Sequence, residues 1–151
     1  MRGTSICLAL IAATLPACAT TEPTEELIGR DWTVPPGAEM YKCVGILVDH
    51  DLHIDDLDTR RPLGEHHAIL TVSDRLLGPG ETHLGEYDCT ARMVDPQVLF
   101  DSDLPVAMPD GIDVKAGQYL NLNLHLFNAT DEAITGHSAI VASMRVPWPR
   151  S

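Results

Sequence analysis

The sequence is poor in several features that would indicate a common function. It contains 10 Lys and Arg against 22 Asp and Glu, for a net charge of -12, and only 5% of its residues are aromatic. Such acidity disfavours nucleic acid or anionic lipid as a partner, because both carry negative charge. The sequence has no nucleotide-binding glycine loop, no internal repeat and no serine in a nucleophile-elbow motif. These absences argue against nucleotide-dependent and serine-hydrolase chemistry.

Long helical periods are also missing, and 151 residues provide one domain's worth of core. Glycine and proline, 11 of each, are spread between short apolar segments, as expected for strands joined by turns. The sequence therefore predicts an all-β, antiparallel sandwich or jelly roll. The predicted strands are Met40–Val48, His67–Val72, Gln97–Phe100, Gly111–Val114, Tyr119–Phe127 and Ser138–Val146.

The N-terminal segment is typical of an export signal. Residues 1–17 combine a positive Arg2 with an apolar centre too short to span a bilayer permanently. Leu15-Pro16-Ala17-Cys18 resembles a bacterial lipobox, in which Cys18 becomes the lipidated first residue, although Pro16 is unusual there and plain secretion stays open. We expect a lipoprotein of the bacterial cell envelope, in the periplasm or at the outer membrane. Residues 18–37 are predicted to be a flexible tether, and residues 38–148 the folded domain.

Two cysteines remain in the predicted mature domain, Cys43 and Cys89. In an exported protein such a pair is expected to form a disulfide. The alternative hypothesis, that the two cysteines bind a metal as thiolates, is weak because they are distant in sequence and lack CxxC spacing. The pair is predicted to brace the domain.

The histidines are the strongest chemical signal. Consecutive strand residues point to opposite faces, so His66 and His67 can share an ion only at a strand end or bulge, which the preceding Gly64 and Glu65 would allow. In Tyr119–Phe127 the leucines alternate inward, which puts His125 on the opposite, exposed face. Three neutral imidazole ligands that leave one coordination position of the metal open are typical of copper or zinc sites. His50 and His53 lie among carboxylates that could bind a hard cation or zinc, although a solvated acidic loop is the favoured interpretation. His83 and His137 lie in turn-rich segments and are predicted to be exposed.

The order and spacing of several segments resemble the copper type II, ascorbate-dependent monooxygenases, which include peptidylglycine α-hydroxylating monooxygenase and dopamine β-hydroxylase. The resemblance is to the first of their two jelly-roll domains, a sandwich also of the PNGase F type. It covers residues 38–148. The segments that carry it are Met40-Tyr41-Lys42-Cys43, His66-His67, Glu86-Tyr87-Asp88-Cys89, Met108-Pro109-Asp110-Gly111, Leu122 to Asn128 and Ser143-Met144-Arg145-Val146-Pro147.

The resemblance implies one type II copper at His66, His67 and His125, used to relay an electron, with ascorbate as a reductant. In that family oxygen and substrate meet at a second copper in the other domain. No His-x-His segment with a suitable methionine is evident in this sequence. The expectation is therefore electron transfer, or part of a monooxygenase that needs a second copper domain or redox partner. A carboxylate beside the site could come from Glu65 or from the acidic segment around His50 and His53.

Two other functions stay open at the level of the sequence. The first is a metal-free β-sandwich that serves as a surface binding or interaction module, with incidental histidines. The second is a periplasmic copper or zinc scavenger without redox function. Metal content and the effect of ascorbate on a bound ion distinguish these functions from electron transfer.

Overall fold

The structure, a computed structural model, describes residues 24–74, 84–89, 97–104 and 106–145. These residues form nine β-strands, and no helix is present among them. The strands are β1 Thr24–Val34, β2 Glu39–Leu47, β3 Leu52–Arg60, β4 Glu65–Ser73, β5 Gly85–Asp88, β6 Gln97–Asp101, β7 Ile112–Val114, β8 Tyr119–Phe127 and β9 Ile134–Arg145.

The strands form two antiparallel sheets that pack as a sandwich. The four-stranded sheet has the order β1-β9-β3-β7 and the five-stranded sheet the order β5-β2-β8-β4-β6. The predicted all-β antiparallel sandwich is therefore confirmed, whereas the jelly-roll connection stays a prediction. All six strands predicted from the sequence exist, with boundaries shifted by a few residues at most.

Strand β8 is the centre of the five-stranded sheet, between β2 and β4. Its four leucines, Leu120, Leu122, Leu124 and Leu126, have no exposed surface and face the other sheet. They meet Trp32, Ile54, Ile140 and other apolar side chains of the four-stranded sheet. The period-two pattern of β8 thus identifies the strand and the face that it buries.

The opposite face of β8 is less exposed than predicted. Asn121 and Asn123 each keep only 3% of their surface accessible. The Tyr87 hydroxyl of β5 donates a 2.6 Å hydrogen bond to Asn121 Oδ1. The prediction of a wet face is wrong here, because β8 is central and side chains from flanking strands lie over its polar residues.

The prediction of a flexible tether over residues 18–37 is wrong for Thr24–Val34. These residues form β1, which pairs with β9 along nearly its whole length. Ile28, Trp32 and Val34 alternate into the core and leave at most 5% of their surface exposed. Their spacing is a strand pattern, and their burial offsets the entropy of ordering a polar segment. The described part of the folded domain therefore begins at residue 24.

Two further strands, β3 and β5, were not predicted. The acidic composition of β3 suggested a solvated loop, but Ile54 and Leu57 point inward and are buried. Strand β5 is an edge strand of four residues that pairs only with β2 among the described strands. Short edge strands carry too few residues for a period-two pattern to identify them.

Cys43 and Cys89 form the predicted disulfide, which links β2 to the residue after β5. The predicted signal peptide at residues 1–17, the predicted lipidation site Cys18 and His83 lie outside the described residues. Within the part of the chain that the structure describes, no helix is long and apolar enough to cross a membrane.

Candidate metal centre

The structure brings His66, His67 and His125 together at the surface of the five-stranded sheet. Strands β4 and β8 are antiparallel neighbours, and His67 lies directly opposite His125. One ligand atom from each of the three residues lies within 4.8 Å of the other two. The ring centroids are separated by 4.8 Å for His66–His125 and 5.2 Å for His67–His125. The three side chains are therefore close enough together to form a candidate site for one metal ion.

A β-bulge turns His66 and His67 to the same side of the sheet. The register shifts between Glu65, which pairs with Leu126, and His67, which pairs with His125. His66 is the additional residue of the bulge. It interrupts the alternation of side chains between the two faces of the sheet, as two consecutive histidines on one face require. The Nδ1 atoms of the two rings are 3.5 Å apart.

The turn before the bulge is held by backbone contacts. Gly64 has a φ of +101°, which a residue with a side chain rarely adopts. Its carbonyl oxygen accepts a 2.8 Å hydrogen bond from the Phe127 amide, at the end of β8. The Arg61 guanidinium donates to the carbonyl oxygen of His66. These contacts fix where the bulge begins relative to His125.

His125 lies between a histidine and a tyrosine. Tyr41 of β2 is its cross-strand partner on the other side, and the two rings stack with centroids 4.5 Å apart and an interplanar angle of 7°. The His125 side chain is only 13% exposed, and its Nε2 is 2.6 Å from Glu39 Oε1. Its Nδ1 is buried and has no hydrogen-bond partner. An unpartnered ring nitrogen beside two other imidazoles is the atom expected of a metal ligand.

Burial favours the neutral form of His67. Desolvation lowers the pKa of His67, and the neighbouring His125 and His66 lower it further, whereas Asp103 and Asp101 raise it. Asp103 Oδ2 lies 3.7 Å from His67 Nδ1. A neutral imidazole retains a lone pair for a metal, while a protonated one does not. His67 is therefore prepared for coordination at neutral pH.

Glu65 does not supply the carboxylate beside the histidines. Its side chain has no exposed surface and points between the sheets, as does its cross-strand partner Leu126. Burial raises the pKa of Glu65, more than the nearby Ser138 hydroxyl and the Arg61 guanidinium lower it. The hypothesis that Glu65 supplies a carboxylate beside the site is wrong, because the bulge follows Glu65 and leaves its side chain on the core face.

No protein-family model and no curated protein matches this chain.

Sequence reasoning did not identify two acidic residues that lie near the histidines, Glu39 and Asp103. The only available signal for Glu39 is that it precedes Tyr41 by two residues and so shares its face of β2. The pairing of β2 with β8, which makes Glu39 a diagonal neighbour of His125, is not readable from either segment alone.

The other described histidines lie away from this group, on carboxylates of their own. His50 Nδ1 is 2.5 Å from Asp49, and His53 Nδ1 is 2.7 Å from Asp113. His53 belongs to β3 and its side chain is only 23% exposed, so the prediction of a solvated loop is wrong for this residue. The acidic segment around His50 and His53 therefore supplies no carboxylate to His125 in the described contacts, where Glu39 takes that position.

Proposed function

We propose that this domain binds one copper ion through His66, His67 and His125 and uses it for one-electron transfer. The observation that carries the proposal is the convergence of three imidazoles whose ligand atoms lie within 4.8 Å of one another. His67 and His125 come from neighbouring strands of a sheet, so their separation is set by backbone hydrogen bonds. Rigid elements position ligands more accurately than loops do.

The donor set supports copper. Neutral imidazole is a good ligand for both oxidation states, and three protein ligands leave a coordination position open. A bound copper ion supplies a one-electron couple between Cu(I) and Cu(II). Neighbouring groups prepare the ligands: Tyr41 stacks on His125, and burial lowers the pKa of His67. His66 is exposed, which gives a redox partner access to the site.

The wider role follows from the resemblance noted above to copper type II, ascorbate-dependent monooxygenases. In this proposal ascorbate or a protein partner reduces the copper, and any oxygenation of a substrate requires a second copper domain. We also propose that the domain is exported and held at a bacterial cell envelope through lipidated Cys18. The Cys43–Cys89 disulfide supports an oxidising compartment, where such bonds persist.

The test is metal binding by the full chain and by His66→Ala and His125→Ala variants. We expect one copper per chain with a type II EPR spectrum, lost in both variants and bleached by ascorbate. His50→Ala is the matched control, because His50 is an exposed histidine paired with Asp49 away from the site. Circular dichroism and urea unfolding verify that each variant retains the fold.

Three results would redirect the proposal. Weak copper binding that both site variants retain indicates incidental histidines and a metal-free interaction module. Stoichiometric binding that ascorbate does not reduce, with Zn(II) displacing the copper, indicates a metal scavenger, since three imidazoles also satisfy zinc. Loss of binding in His50→Ala alone would place the metal elsewhere.

A further inference from the structure

Glu39 is the acidic residue in closest contact with a candidate ligand. It lies on β2 opposite Phe127, two residues from the partner of His125, so its side chain reaches His125 diagonally across the strand pair. Glu39 Oε1 and His125 Nε2 are 2.6 Å apart. The glutamate side chain is 57% exposed and that of His125 only 13%. The contact therefore joins a solvent-accessible carboxylate to a largely buried ring.

This contact favours the tautomer of His125 that carries its proton on Nε2. An ionised carboxylate is only an acceptor, so Nε2 must be the donor. A neutral imidazole has one donor and one acceptor nitrogen, which leaves the lone pair on Nδ1. Nδ1 is the atom that is buried without a hydrogen-bond partner. With Nε2 bonded to Glu39, the lone pair therefore lies on the nitrogen that has no other partner.

The contact with Tyr41 does not determine which nitrogen of His125 faces Glu39. Its stacking, with an interplanar angle of 7°, fixes the plane of the His125 ring. A 180° rotation of the ring about its Cβ–Cγ bond exchanges the two edges of the ring and keeps the stacking. Only a group that bonds one particular nitrogen distinguishes the two orientations, and Glu39 is that group in the described contacts.

We propose that Glu39 is a positioning residue, which holds His125 as the Nε2–H tautomer and presents Nδ1 to the metal. The metal part of this inference rests on the proposed function, whereas the tautomer is a property of the metal-free protein. Carboxylates that accept from the outer nitrogen of a ligand histidine orient the ring and make it a stronger donor, and their loss typically weakens metal affinity about 10- to 100-fold.

The experiment compares Glu39→Ala and Glu39→Gln with the full wild-type chain. Glu25→Ala is the matched control, because it removes the same charge from an exposed glutamate of the other sheet. Nitrogen-15 NMR of the histidine rings reads the tautomer of His125 without metal, and competition titrations with Cu(II) and Zn(II) read affinity.

In the wild type we expect His125 protonated at Nε2. Glu39→Ala should populate both tautomers and weaken binding of each metal about 10- to 100-fold. Glu39→Gln should keep the tautomer through its amide oxygen and recover most of the affinity, which a role in folding alone would not predict. Glu25→Ala should match the wild type in both measurements.

The results separate this inference from the proposed function. A wild-type His125 protonated at Nδ1, or a tautomer that Glu39→Ala leaves unchanged, overturns the role of Glu39 whether or not metal binds. Equal metal affinity in Glu39→Ala and Glu25→Ala, with binding lost in His125→Ala, also overturns it while the copper site stands. A wild type that binds no copper refutes the proposed function, and the NMR result then decides the role of Glu39.

Discussion

Replacement of Gly64 by alanine tests whether the turn before the histidine bulge requires glycine. Gly64 has a φ of +101°, and a Cβ there would overlap Ile134 Cδ1 and lie 3.1 Å from the ring of Trp32. The backbone conformation costs a residue with a side chain about 1–3 kcal/mol. Overpacking costs about 1–3 kcal/mol more. Because the end of the Ile134 side chain can rotate away, we expect a total loss of about 2–4 kcal/mol in the free energy of unfolding.

Gly117→Ala is the matched control. Gly117 has a φ of +91°, but an added Cβ would meet no atom within 4 Å. It therefore carries the backbone cost without the steric one. Urea unfolding of both variants, with the disulfide intact, gives the two losses on one scale. The difference between them measures the clash with Ile134 and Trp32.

A double variant sharpens the result. Ile134→Ala removes the atom that the new Cβ would meet, so Gly64→Ala should cost less in that background than in the wild type. If Gly64→Ala is no more destabilising than Gly117→Ala, or if the two changes are additive, the close packing around Gly64 does not control this turn. The reasoning about the bulge would then be wrong.

Three further outcomes are expected. Leu124→Ala should lower the free energy of unfolding by about 2–5 kcal/mol, because Leu124 is fully buried. Leu63→Ala, at a residue that is 83% exposed, should change it by less than about 0.5 kcal/mol. Equal losses in urea unfolding would contradict the assigned core. Reduction of the Cys43–Cys89 disulfide, whose cysteines are 46 residues apart, should lower the free energy of unfolding by about 3–4 kcal/mol on the chain-entropy model. Urea unfolding with and without reductant measures this loss. An unchanged free energy of unfolding would show that the disulfide does not constrain the unfolded chain. The hydrogen bond to Asp31 raises the pKa of His137 above its ordinary value of 6.5, so the stabilisation is complete below about pH 6.5 and lost as the pH rises through the folded pKa. Unfolding of His137→Ala and wild type should therefore differ more near pH 5.5 than near pH 9, and a constant difference would refute the pairing.

The local pattern of the chain was enough to predict the central part of the fold. Alternation in Tyr119–Phe127 identifies β8 and its buried leucine face, because a strand repeats every two residues. The same period shows that His66 and His67 cannot both face one ion from a regular strand, and the structure has a bulge there. The cysteine pair followed from composition and the expected compartment.

Only the tertiary structure determined which residues of different strands are in contact. Strand β1 is polar enough to resemble a tether, and only its pairing with β9 and the burial of Trp32 make it part of the domain. The position of Glu39 against His125 depends on the register between β2 and β8, which joins residues 86 positions apart. Such contacts arise from the packing of both sheets, whereas a local pattern reports only the face and period of one segment.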